Sequence, residues 1–165
     1  MPFQSKNIAM WAGLSIALYV FENLLPNPLI WIRIGLGNIP VIITLYLYGY
    51  MYALSVLMLK IFVGGLFSGK LLTIFTVFAL SAGLISLLFM WAIKWIKWFS
   101  IIFVSMGGAM VHNIVQIFVA FFLVARFKET LYLLPIAIIV GGISGFFTGF
   151  ISRGIINNLR KEDYV

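Results

Sequence analysis

The sequence predicts an all-α integral membrane protein, a bundle of six transmembrane helices forming one domain over residues 1–165. Hydrophobic side chains make up 64% of the chain and charged ones only 9%, whereas a soluble domain carries about 25% charged residues. The apolar residues gather in stretches near the ~20 residues that carry a helix across a bilayer. They fall at roughly 8–25, 33–50, 51–67, 71–93, 99–125 and 131–153. One of these stretches holds polar side chains in its middle, so it serves more than anchorage.

The first span carries Ala9, Gly13 and Ala17 at four-residue spacing. Small residues so placed lie along one helix face and let another backbone approach closely, either inside the bundle or on a partner subunit. No cleavable signal is expected, because the apolar run continues into a full span without a small-residue cleavage site. The following segment, NLLPNPLIWIRIGLGNIP at 23–40, is the least regular. Pro26 and Pro28 stop a helix from running through, and Gly35, Gly37 and Pro40 loosen the second half of the segment. Irregular backbone at membrane depth must be buried in protein or line a wet cavity, since lipid satisfies no N–H or C=O. Arg33 and Asn38 stand in it, and Arg33 either snorkels to the outer headgroups or serves that cavity.

Only Gly49-Tyr50 separates the second and third spans, which predicts a tight turn between antiparallel neighbours. Lys60 sits in the middle of the third. A mid-helix Lys costs about 2.5–3.5 kcal/mol to insert, so something must offset it. Glu22 is the only acid in the first 128 residues; it pairs with Lys60, or a ligand does. It cannot also neutralise Arg33, and surplus positive charge among amides suggests an anionic ligand. The run GGLFSGKL at 64–71 fits the phosphate-loop pattern until Leu71 replaces Ser or Thr. With no preceding strand and no hydroxyl for magnesium, nucleotide binding is rejected, and Gly64, Gly65 and Gly69 are expected in a loop. Trp11, Trp31, Trp91, Trp95 and Trp98 fall mostly near span ends, where interfacial anchoring is the expectation. The run WAIKWIKW at 91–98 suits an inner membrane surface, against anionic lipid or a partner.

The fifth span, SMGGAMVHNIVQIFVAFFLVA at 105–125, is the one the chain is organised around. At about 100° per residue, Ser105, Gly108, Ala109, His112, Asn113, Gln116 and Ala120 share an arc of roughly 140°. Met106, Gly107, Met110, Ile114, Ile117, Phe118, Phe121 and Phe122 take the other side and are expected to face lipid. Three hydrogen-bonding side chains at membrane depth make either a helix–helix seam or a cavity wall. The sixth span carries a longer small-residue ridge, Ala137, Gly141, Gly145 and Gly149, expected to pack internally.

The net charge of +7 would raise nucleic acid as a partner of a soluble protein, but here the basic residues mostly mark helix ends. With both termini cytoplasmic, the inner side collects Lys6, Lys94, Lys97, Arg153, Arg160 and Lys161, the outer side Lys70, Arg126 and Lys128. That bias follows the positive-inside rule. No cysteine is present, which excludes disulfides and thiolate metal sites. One His and four acids assemble no usual metal site, and the only aspartate, Asp163, leaves none to hold magnesium around a diphosphate. No nucleophile–base pair appears. The sequence therefore predicts neither an enzyme nor a cofactor.

Three blocks, IRIGLGNI at 32–39, LMLKIFVGGLFSGK at 57–70 and GGAMVHNIVQ at 107–116, resemble the six-helix proteins called heptaprenyl diphosphate synthase component I, or the Gx transporter family. These look like substrate-binding S components of energy-coupling factor transporters. Relatives favour Lys in the first block and Arg in the second; this chain has Arg33 and Lys60, which keeps the charge and changes the donor geometry. The resemblance assigns no ligand residues. It implies an S-component-like bundle that captures a small ligand and works with a transmembrane coupling subunit and two cytoplasmic ATPases. From the residues alone, the candidate ligand-binding set is Arg33, Asn38, Lys60, His112, Asn113 and Gln116, and the candidate docking ridge is Ala9, Gly13 and Ala17. A non-transporting accessory subunit that anchors or regulates a prenyl diphosphate synthase is the alternative, and a small stand-alone channel is a third.

Overall fold

Six α-helices make up most of the described structure, a computed structural model that describes residues 2–24, 35–96, 98–124 and 128–162. They are α1 Pro2–Leu24, α2 Ile39–Leu47, α3 Tyr50–Phe67, α4 Ile74–Ile93, α5 Ile101–Leu123 and α6 Leu134–Glu162. Short 3-10 segments, Leu36–Asn38 and Lys128–Leu133, lead into α2 and α6, and no strand occurs among the described residues. Three of these helices, α3, α4 and α5, are long and apolar enough to cross a bilayer, as is the stretch Glu129–Lys161 that holds α6. The apolar parts Ile8–Leu24 and Leu36–Leu47 are shorter.

The second predicted span is the main correction. Instead of a helix over 33–50, the described part is a 3-10 turn followed by the nine residues of α2, about 14 Å of helix against a hydrocarbon core of about 30 Å. Pro40 stands in the first turn of α2, where its missing N–H is harmless and a longer N-terminal extension is blocked. Residues 39–45 are all buried, so α2 is wrapped by its neighbours rather than by lipid. A half-length helix is tolerated at membrane depth on that condition. The tight turn to α3 does form: Gly49, at φ +97°, donates to Thr44 O at 3.0 Å. The Lys94 ammonium, just past α4, donates to Leu45 O at 2.9 Å and lies over the Tyr46 and Trp95 rings. It holds the end of α2 in place, and partial burial lowers its pKa from the ordinary lysine value.

The pairing of α5 with α6 is the most extensive in the bundle, and the sixth-span ridge is its seam. A Cβ at Gly141 would stand 2.9 Å from Ala109 O, one at Gly145 2.6 Å from Met106 Cα, and one at Gly149 2.9 Å from Ile102 Cα. Backbone meets backbone there. Ser105 and Thr148 share a hydrogen bond of 3.0 Å across the seam. Because α6 and α4 come this close, the apolar side of α5 is only partly free for lipid. Ile117 is buried, Met110 approaches Gly142, and Gly107 packs on Phe89, while Phe118 and Phe122 remain exposed.

Two further expectations change. Gly64 and Gly65 continue α3 instead of forming a loop, and only Gly69, at φ +63°, lies in the turn. The reason is contact: a Cβ at Gly64 would be 2.7 Å from the Tyr19 ring of α1. Trp11 belongs to the buried core rather than to an interface, whereas Trp95 and Trp98 are exposed as expected. At the other end α6 runs past the predicted limit. Its 29 residues reach about 43 Å, so the last turns project, with Arg153, Arg160 and Lys161 exposed and Ile156 still packed in the core.

Candidate functional site

The segment Gly35–Asn38 is irregular for a reason that the neighbouring helices supply. Gly35 adopts φ +81°, the left-handed region that favours glycine, and its N–H donates to Glu22 Oε1 of α1 at 2.6 Å. Ser15 Oγ donates to Gly37 O at 2.6 Å, and Asn38 N closes the turn on Gly35 O at 2.8 Å. A Cβ at Gly37 would meet Tyr19 Cβ at 3.1 Å and Lys60 Cδ at 3.3 Å. The turn is thus clamped between α1 and α3. At its end Asn38 accepts from Lys60 Nζ through Oδ1 at 2.5 Å.

Lys60 is 5% exposed. Its bond to Asn38 is made to an amide oxygen, which supplies a dipole and not a counter-charge. Glu22, expected as a counter-ion, is 3% exposed and holds the backbone of Gly35. It lines the same cavity as Lys60.

Opposite this turn stands the polar face of α5. Ser105, Ala109, His112, Asn113 and Gln116 all line one cavity of about 70 Å³, together with Asn38 and Lys60. That volume is several times the roughly 10–15 Å³ that one water requires. Asn113 Nδ2 donates to Ala137 O of α6 at 2.9 Å, and Ser86 Oγ of α4 donates to Gly108 O at 2.8 Å. Ile42, Ile61, Phe78 and Met90 supply much of the apolar wall. The lining therefore draws on all six helices and combines an apolar surround with a few polar groups, the usual make-up of a ligand pocket.

Of the predicted ligand-binding residues, Asn38, Lys60, His112, Asn113 and Gln116 come together here, and Arg33 lies outside the described residues. Ala9, Gly13 and Ala17 take no part. They lie on the exposed face of α1, and a Cβ at Gly13 would have nothing within 4 Å. Sequence reasoning missed Tyr19, Ser86, Ser144 and Thr148 as cavity residues. Ser144 and Thr148 are four apart on α6, one helical turn, a spacing that was available beside the glycine ridge. Lys70, the lysine of the phosphate-loop-like run, donates to Asn23 Oδ1 at 2.5 Å and ties the turn after α3 to the end of α1.

Helices of spanning length packed around a partly open, mostly apolar cavity that holds a buried ammonium and a buried carboxylate define a multi-pass helical membrane protein. The chain belongs to the family described as heptaprenyl diphosphate synthase component I, whose profile matches residues 11–155. No curated protein and no solved structure matches it.

Proposed function

We propose that this protein is the substrate-binding membrane subunit, or S component, of an energy-coupling factor importer. It captures a small, anionic and partly apolar ligand, such as an isoprenoid precursor, and hands it over within an ATP-driven complex. The observation that carries this reading is the convergence of Asn38, Lys60, His112, Asn113 and Gln116, from three separate stretches of chain, on one cavity. A buried ammonium held by a neutral amide suits a carboxylate or phosphate, and the apolar wall suits a hydrocarbon body. In this reading all six helices belong to the membrane bundle, α2 as a protein-wrapped half-helix, and the chain sits in the cell membrane with both termini cytoplasmic. The partners are a transmembrane coupling subunit and two cytoplasmic ATPases, and catalysis is not its role.

Co-purification tests the reading: ATPase subunits retained with the chain support it, and a soluble synthase retained instead sinks it. The second outcome belongs to the other reading, a membrane accessory subunit of a prenyl diphosphate synthase, which the description of the family favours.

The exposed small-residue ridge of α1 supports docking of a partner helix. Gly13→Leu is expected to abolish assembly while the isolated protein stays folded, because among the described residues nothing lies within 4 Å of a Cβ at that position. Unchanged co-purification of the mutant would remove the ridge from the interface. For topology, cysteine placed at Glu129 should label from outside, and cysteine at Asn157 only after permeabilisation; the reverse pattern inverts the orientation.

A further inference from the structure

Buried polar groups in folded proteins are nearly always hydrogen-bonded, and two in the cavity wall keep open capacity. Gln116 is 8% exposed and lines the cavity, yet its amide bonds to none of the described residues. Glu22 gives Oε1 to Gly35 N, and its other oxygen has no bond among the described residues. Some neighbouring polar side chains are engaged within the protein: Ser86 with Gly108 O, Ser105 with Thr148, and Asn113, through one Nδ2–H, with Ala137 O. What these groups still offer is the amide of Gln116 and the remaining capacity of Asn113, which donate and accept, and a carboxylate oxygen of Glu22, which only accepts. A plain anion suits Lys60 but brings no proton for Glu22, and at close range the carboxylate repels it.

We infer that the ligand of this cavity is a small anion that also carries a hydrogen-bond donor, a hydroxyl or an ammonium, on a short hydrocarbon body. Its anionic group meets Lys60, and its donor meets Glu22 and Gln116. This rests on the cavity being the ligand site, and it narrows the ligand from any amphipathic anion to a hydroxy- or amino-acid-like one. The volume of about 70 Å³ agrees with a compact molecule. No bond to the described residues depends on the Gln116 amide, and an apolar replacement of similar size keeps the packing of the wall, so Gln116 is a residue that binding needs and folding does not.

Three probes of one skeleton separate the possibilities on the full-length protein in lipid nanodiscs: β-hydroxyisovalerate, β-aminoisovalerate and tert-butylacetate. They share the carboxylate and the branched body, and differ only in presenting a hydroxyl, an ammonium or a methyl group. The wild type should bind a donor-bearing probe about tenfold or more tighter than the methyl probe. Gln116→Leu should melt no lower than the wild type and lose most of that preference. Glu22→Gln keeps an acceptor for Gly35 N and should selectively weaken the ammonium probe. Equal affinities for all three probes would mean that water satisfies these groups; that overturns the donor requirement and leaves the anion reading standing. The donor requirement is overturned in the same way if only isopentenyl phosphate binds, or if Gln116→Leu loses stability and keeps the preference. Failure of all four compounds to bind overturns both.

Discussion

Gly145→Val is expected to unfold the α5–α6 seam and to leave little monodisperse protein after extraction. The first carbon of any side chain at that position would stand 2.6 Å from Met106 Cα and 2.8 Å from Ser105 O. Both are backbone atoms, so no rotamer change makes room, and α6 must move off α5. Overpacking usually costs about 1–3 kcal/mol; here the cost should reach or exceed the upper end. The displaced helix also carries Ala137 O and Thr148 away from Asn113 and Ser105, which hold the seam beside the cavity. Gly154→Ala is the matched control, since among the described residues nothing lies within 4 Å of its Cβ position. It should be neutral or stabilising by up to about 1 kcal/mol, the usual gain from removing a helical glycine. Thermal unfolding in detergent measures both. Equal stability of the valine variant and the wild type would show that α6 does not pack this closely.

Lys60→Ala is expected to weaken binding of isopentenyl phosphate by about ten- to a hundredfold, the equivalent of one charge-assisted hydrogen bond of roughly 1.5–3 kcal/mol. Calorimetry on the purified protein reads this directly. The alanine variant also leaves Asn38 Oδ1 without the bond from Lys60, so a fall in stability accompanies it. Lys60→Met loses the same bond but leaves no cavity, so it limits the fall in stability. It keeps the volume and removes a buried charge, whose replacement by an apolar residue is often neutral or stabilising, and it should fold while binding as poorly as the alanine variant. If Lys60→Met and His112→Ala both bind with wild-type affinity, the polar face of α5 is a packing seam and the ligand site lies elsewhere.

The sequence by itself determined the class of the protein, most of its helices and one wall of its cavity. Composition and run length are local properties, and they placed α3, α4 and α5 within a few residues. The polar arc of α5 turned inward because helical periodicity alone puts Ser105, His112, Asn113 and Gln116 on one side, and lipid accepts none of them. The ridge from Ala137 to Gly149 met another backbone for a similar reason, since a strip of small residues fits nothing so well.

Tertiary structure decided the rest. Whether α2 spans the bilayer depends on what surrounds it, and the same apolar residues serve a lipid-facing helix or a wrapped half-helix. The bond between Asn38 and Lys60 joins residues 22 apart in sequence, and it forms only because Ser15, Tyr19 and Glu22 of α1 fix the turn at Gly35–Asn38. Glu22 looked like a counter-ion when acids were counted along the chain. In the fold it accepts the N–H of a left-handed glycine, and its second oxygen has no bond among the described residues. Those outcomes turn on the rotation and separation of packed helices, and close approach at Gly64, Gly141 and Gly145 sets both. A sequence lists the small residues that permit such approach, but only the packed bundle decides which helix comes near and which side chains then meet.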